Sequence, residues 1–191
     1  LDITKNNLST LDDLQNCPNL QHLDAYNNNL SSLDGLQNCP NLYWLNVSNN
    51  NLSSLDGLPL CHNLQHLTIS KNKLSSLDGL QNFINLKSLT IDSNNLSLLN
   101  GLQNFTNLEK LFICGNNCSL DGLPYCPNLE LLFVWDNVNS LHLDGLQNCP
   151  NLQRLDIACN KLSSLDGLPS CPNLQYLNLH YNNLSSLDGL P

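Results

Sequence analysis

The stretch Leu42–Asn63, LYWLNVSNNNLSSLDGLPLCHN, decides the fold, because almost every other part of the 191-residue chain is a variation on it. Its leucines lead into an asparagine, Asn50, and the equivalent asparagines fall at Asn6, Asn28, Asn72, Asn94, Asn116, Asn137, Asn160 and Asn182. The successive steps are 22, 22, 22, 22, 22, 21, 23 and 22 residues. Self-similarity at such a period predicts a solenoid, in which each unit buries its apolar face against its neighbours instead of around one central core.

Each unit reads LxxLxLxxNxL followed by a variant of SSLDGLQNCPN. The first half alternates apolar and other residues, as in Leu64, Leu67 and Ile69, which predicts a short strand. Strands one repeat apart run the same way, so a parallel sheet follows. The return segment of about a dozen residues is too short for a long helix and predicts a turn with a brief helical piece. The asparagine at the strand end is expected to bond the backbone of neighbouring rungs, forming a ladder. The aspartate of the DGL motif is expected to cap the helical turn, with Asn100 as an uncharged equivalent.

Composition bounds what such an array can bind. Hydrophobic residues make up 41% of the chain, enough to fill a continuous core, and the formal net charge is −9. Of the sixteen acidic residues, eight sit in the capping column: Asp12, Asp34, Asp56, Asp78, Asp121, Asp144, Asp166 and Asp188. Acidity is therefore a property of the scaffold, and it disfavours nucleic acid and anionic membrane as partners. No apolar run approaches the ~18 residues that a membrane span needs. The chain reads as one solenoid domain, 1–191, of about nine repeats, and as a fragment lacking both caps, with self-association through uncapped ends as a consequence.

Nine cysteines could suggest a disulfide scaffold, but their placement argues against it. Cys17, Cys39, Cys61, Cys126, Cys149 and Cys171 share one column of the repeat, in which Phe83 and Phe105 also stand. A slot that accepts Phe is a buried apolar slot. Parallel side chains on rungs ~5 Å apart also have poor disulfide geometry. Free buried thiols are expected, which favours an intracellular, reducing compartment. Asn-x-Ser/Thr acceptors such as Asn7, Asn51 and Asn104 mostly follow from the recurrent NNLSS and do not decide the compartment.

The nine LxxLxLxxN segments resemble leucine-rich repeats, and the resemblance covers the whole chain. The period, with LxxL between the asparagine and the next strand, is similar to the class shared by the nuclear phosphatase-1 regulatory subunit and the bacterial internalins. NCPNL at Asn38–Leu42 resembles the Cys-Pro turn of intracellular leucine-rich repeats attached to F-box proteins and of protist repeat arrays. The resemblance implies an α/β fold: a curved right-handed solenoid with short parallel strands on the concave face and turns and brief 3₁₀ helices on the convex face. It further implies protein binding without catalysis. Phe83 and Phe105 in the Cys column and Asp13 in place of the DGL glycine depart from the pattern.

The positions that vary between repeats are the non-leucine strand residues, which must point away from the core. Repeats six and seven place Phe112, Leu131, Phe133, Trp135 and Cys114 where other repeats carry Asp, Asn, Thr or Ser. Exposed aromatics on a rigid sheet have the character of a binding hot spot. The expected partner-binding residues are Tyr26, Trp44, His66, Lys110, Phe112, Leu131, Phe133, Trp135, Arg154 and Tyr176. Against this stands a local satellite core, formed if the irregular loop Asn137–Leu146 folds over the rings. His22 and His66, with Trp44 between them, are too far apart to share a metal, and Cys114, Cys118 and Cys126 do not converge, so no metal or cofactor is expected. No nucleophile–base pattern or phosphate loop stands out, so catalysis is not expected. The alternative to a protein-binding module is a structural or self-assembling array, such as a surface protein.

Overall fold

The computed structural model describes residues 1–137 and 141–190. Among the described residues, every named strand is three residues long: β1 (His22–Asp24), β2 (Trp44–Asn46), β3 (His66–Thr68), β4 (Ser88–Thr90), β5 (Lys110–Phe112), β6 (Leu131–Phe133), β7 (Arg154–Asp156) and β8 (Tyr176–Asn178). They pair in chain order as one parallel sheet, and an isolated parallel bridge joins Asp2 to Asp24 ahead of β1. The irregular 21- and 23-residue steps do not disturb the register, because Lys110 still pairs with Leu131 and Leu131 with Arg154. The length differences are absorbed outside the sheet.

Alternation does what the sequence requires of it. The central leucine of β1 to β7 is buried in every strand, while the residues on either side stay half-buried or exposed. Behind the sheet, the remaining leucines, the Cys column and its two substitutes, Phe83 and Phe105, form a continuous apolar core. On the far side the chain returns through turns and short 3₁₀ segments at Asp12–Asn16, Leu80–Asn82, Leu120–Gly122 and Asp144–Asn148. Gly35 shows why the DGL glycine recurs: its φ is +95°, and a Cβ there would sit 2.1 Å from the carbonyl oxygen of Leu11 on the preceding rung. Asp13, in the glycine's place in the first repeat, lies inside a 3₁₀ segment instead.

Three sets of hydrogen bonds weld the rungs together. In the first, the ladder asparagines from Asn28 to Asn116 each serve two rungs at once, as expected. Asn94 Nδ2 donates to the carbonyls of Ile91 and Asp92 on its own rung and of Ile69 on the previous one, while its Oδ1 accepts the Leu74 amide at 3.0 Å. Asn50, Asn72 and Asn116 repeat this pattern. To reach it, the preceding residue turns into the left-handed region on each rung, with φ between 52° and 62° at Lys5, Asn27, Asn49, Lys71, Ser93, Gly115, Asp136, Cys159 and Tyr181. Asn137 breaks the pattern. Among the described residues its buried Nδ2 has no hydrogen-bond partner, its Oδ1 takes the Cys118 thiol at 3.8 Å, and the Val134 carbonyl accepts from Asn160.

The second set was not anticipated from sequence. Asparagines just before the strands reach back to the previous rung, as in Asn41 to the Pro18 carbonyl, Asn85 to His62 and Asn107 to Ile84. The third runs along the rim of the sheet: Ser48 Oγ accepts the Ser70 amide, Ser70 Oγ accepts the Asp92 amide, and Asp92 Oδ1 accepts the Cys114 amide at 2.8 Å. Burial raises the Asp92 carboxyl above the usual range, and the bond from Cys114 only partly offsets this.

The capping expectation is corrected. Among the described residues the DGL aspartates cap no 3₁₀ segment; Asp12, Asp121 and Asp144 lie within one. The serine two residues earlier takes the aspartate's amide, as Ser76 does for Asp78 and Ser119 for Asp121. A glutamine two residues after the glycine takes the glycine amide, as in Gln37 to Gly35 and Gln81 to Gly79. The carboxylates instead accept from side chains, Asp56 from Ser54 and Asp34 from Gln37. The amide two residues on, which a capping aspartate would take, donates to the carbonyl of the leucine before it, as Leu36 does to Leu33 and Leu80 to Leu77.

All nine cysteines are free; Cys17 and Cys159 are half-buried and the others buried. Burial pushes the Cys61 and Cys118 thiols up to about 11. A maleimide reagent should therefore label Cys17 and Cys159 in the native protein and reach the rest only in denaturant, with peptide mapping as the readout. Asn94→Ala should lower unfolding free energy by about 3 kcal/mol or more in urea, since it strands a buried amide and removes three donated bonds; a loss under about 1 kcal/mol would contradict the ladder's role. Asp92→Asn keeps the acceptor for Cys114 and removes a buried charge. Because the folded-state proton affinity is raised, Asp92 takes stability away as pH climbs through its folded pKa, so the variant should melt higher than the parent at neutral pH. That advantage should vanish below the ordinary carboxylate range.

Candidate partner-binding surface

The outward positions of the strands form the columns that the pattern defines. One runs His22, Trp44, His66, Ser88, Lys110, Leu131, Arg154, Tyr176 in direct pairing, and a second pairs Thr90, Phe112, Phe133 and Asp156. Tyr26 and Trp135 lie two residues beyond β1 and β6. Tyr26, Trp44, His66, Phe112, Leu131 and Phe133 are half-buried, whereas Lys110, Trp135, Arg154 and Tyr176 are exposed.

Four of these side chains form one stack across β5 to β8. The Phe112 and Phe133 rings lie 4.9 Å apart at 21°, close to parallel. The Arg154 guanidinium carbon sits 5.3 Å from the Phe133 ring centre and 4.0 Å from that of Tyr176, linking the phenylalanines to the tyrosine. Leu131 stands between Lys110 and Arg154 in the adjacent column. Trp135 retains 45% of its surface. The rings thus remain open to solvent among the described residues; positions 138–140 of the irregular loop lie outside them.

Cys114 does not belong to this surface. It is only 4% exposed, and its column also hides Ser48 and Ala158. The rim hydrogen bonding draws this column in among the neighbouring rungs, so that only the large Trp135 and His180 are exposed, while Tyr26 stays half-buried like Ser70 and Asp92. Burial, above the other influences, drives the Cys114 thiol far above its ordinary range.

The second group lies on β1 to β3, separated from the first by the polar Ser88 and Thr90 of β4. Here Trp44 pairs in register with His22 and His66, but the ring that touches both histidines is Tyr43, 5.7 Å from His22 and 5.4 Å from His66. Tyr43 immediately precedes β2, in a column otherwise held by Gln21, Gln65, Lys87, Glu109, Glu130, Gln153 and Gln175. That lone ring in a polar column was the signal that could have found it. Burial first, then Lys110 and Lys87, lower the proton affinity of His66.

Elsewhere the surface offers less. A cavity of about 420 Å³ along one rim is lined by amides and carboxylates, Glu109, Glu130, Gln153 and Asn151 among them. Among the described residues, no group of three or more His, Cys, Asp or Glu could hold a metal ion. No helix there is long and apolar enough to cross a membrane.

A family model described as leucine-rich repeats (2 copies) matches residues 18–60 and 150–191. No curated protein sequence matches the chain. Among solved structures, internalin C2 of Listeria monocytogenes is 26% identical with a TM-score of 0.78, covering 95% of this chain and 79% of its own. The functional domain of InlJ from the same organism, described as including a cysteine ladder, is 26% identical with a TM-score of 0.75 over 90% of this chain. The chain spans 37% of that InlJ structure's length. The Listeria internalin InlF is 26% identical with a TM-score of 0.71, covering 99% of this chain and 63% of its own. Repeat period, in-register parallel strands, ladder asparagines and these likenesses together make the chain a leucine-rich repeat protein.

Proposed function

We propose that the chain is a non-catalytic module that holds a protein partner on its concave sheet. The observation that carries this reading is the Phe112–Phe133–Arg154–Tyr176 stack, half-open to solvent on a face whose backbone is fixed rung to rung. Aromatic and arginine side chains that are already ordered lose little conformational freedom on binding and bury a large area, which is the make-up of interface hot spots. Leu131 and Trp135 extend the patch, and Lys110 borders it. Tyr26, Trp44 and His66 form a second anchor, with Tyr43 added to it by its contacts with the histidines. The net charge of −9 supports a protein partner over nucleic acid, whose phosphates it would repel.

Because Phe112, Phe133 and Trp135 lie on the sheet face and not in the core, removing them separates binding from folding. Phe112→Ala, Phe133→Ala and Trp135→Ala combined should weaken capture of the partner from the native source by ~100-fold or more, at about 2 kcal/mol or more for a central anchor. The melting temperature should stay near that of the parent. Undiminished capture by the triple variant would overturn the reading.

A further inference from the structure

The patch carries a cation that has no ion-pair partner among the described residues. Arg154 is exposed, and its guanidinium lies against the Tyr176 ring on one side with Phe133 nearby, while among the described residues no acceptor takes its side-chain N–H groups and no carboxylate pairs with it. An arginine stacked on rings keeps its donors in the plane of the fork, aimed away from the aromatic faces. The nearest acidic candidate, Asp156 on the same strand, is otherwise engaged: Oδ1 accepts the Ala158 amide and Oδ2 accepts Asn178 Nδ2.

Lys110 stands two strands away in the same column, across Leu131, and it too forms no ion pair among the described residues. At the spacing of parallel strands the two backbone positions are ~10 Å apart. The one ion pair nearby, Lys87 with Glu109 at 3.5 Å, leaves both of them free. In a chain of net charge −9 these are two cations without an ion-pair partner among the described residues, set beside the exposed apolar stack.

We infer that the surface of β5 to β8 selects a partner segment in which an Asp or Glu side chain neighbours an aromatic or aliphatic residue. The apolar residue lies on Phe112, Phe133 and Leu131. The carboxylate accepts the free, in-plane donors of Arg154, and Lys110 favours a second acidic position. Desolvation by the rings strengthens the charge-assisted bonds, and the stacking that already orders Arg154 lowers the entropy lost on forming them. This inference rests on the concave-face reading and narrows it to a partner chemistry.

The test is fluorescence anisotropy of the full chain with short, labelled, C-terminally amidated peptides built on Glu-Phe, Gln-Phe, Lys-Phe and Glu-Ala pairs. Glu-Phe should bind best, with Gln-Phe and Glu-Ala each weaker by ~10-fold or more and Lys-Phe weaker still. Arg154→Lys, which keeps the charge but loses the stacked fork, should cost Glu-Phe ~10-fold, and Arg154→Glu should shift preference to Lys-Phe. Equal affinity for Glu-Phe and Gln-Phe, indifference to Arg154→Glu, or no binding of Glu-Phe at millimolar concentration would each overturn the inference. If Glu-Phe and Gln-Phe bind alike and the triple alanine variant loses both, the carboxylate preference falls while the concave-face reading stands. If the triple variant binds them as the parent does, both fall.

Discussion

A buried primary amide organises this molecule. The ladder asparagine faces a constraint peculiar to a solenoid: where each strand ends and the chain turns away, carbonyls and amides are stranded inside the apolar stack with no water to satisfy them. One short side chain with two donors and one acceptor resolves both sides of that problem, and because its partners lie on two rungs it also fixes how far apart the rungs stand. The left-handed residue before it, the three-residue strand and the recurring leucine spacing all serve to bring that amide to its place. The outward residues are then largely free to vary, with the rim bonds of Ser48, Ser70 and Asp92 as exceptions.

That division of labour explains how much could be read without coordinates. The period dictated parallel strands in register, and the apolar alternation named the buried leucines. Asn50 and its equivalents could be assigned to the backbone because no other role suits an invariant amide at a strand end. Phe83 and Phe105 revealed the Cys column as core, since a residue of that size is accepted only in an apolar slot. The outward orientation of Phe112, Leu131, Phe133 and Trp135 followed from the two-residue strand period alone.

The misreadings share a cause. Cys114 was assigned to the surface by period, but whether an outward side chain reaches solvent depends on its length relative to the neighbouring rungs, which spacing does not report. The aspartates of DGL are assigned to capping because their type suits it; the amide two residues on that a cap would take donates instead to the carbonyl of the leucine before the aspartate, as Leu80 does to Leu77. Tyr43 is informative as a variable position but, preceding the strand, is not among the expected binding residues, although rotation about its side-chain bonds lets it reach two rungs at once. In each case a one-dimensional pattern gives direction, and reach is settled by the third dimension.

The orphaned amide of Asn137 has a mechanical consequence. In a linear array each rung is held only by its neighbours, so a missing cross-rung bond is not averaged over the whole molecule but concentrated at one junction. By the pattern of the other rungs that bond would reach back toward Ile113, so the junction lies between the rungs of β5 and β6, which supply Phe112 and Phe133. The stacked rings of these two residues bridge the same seam from the front, so side chains that face the solvent there act as a splint across it. A molecule seated on that splint would stiffen the array at that junction.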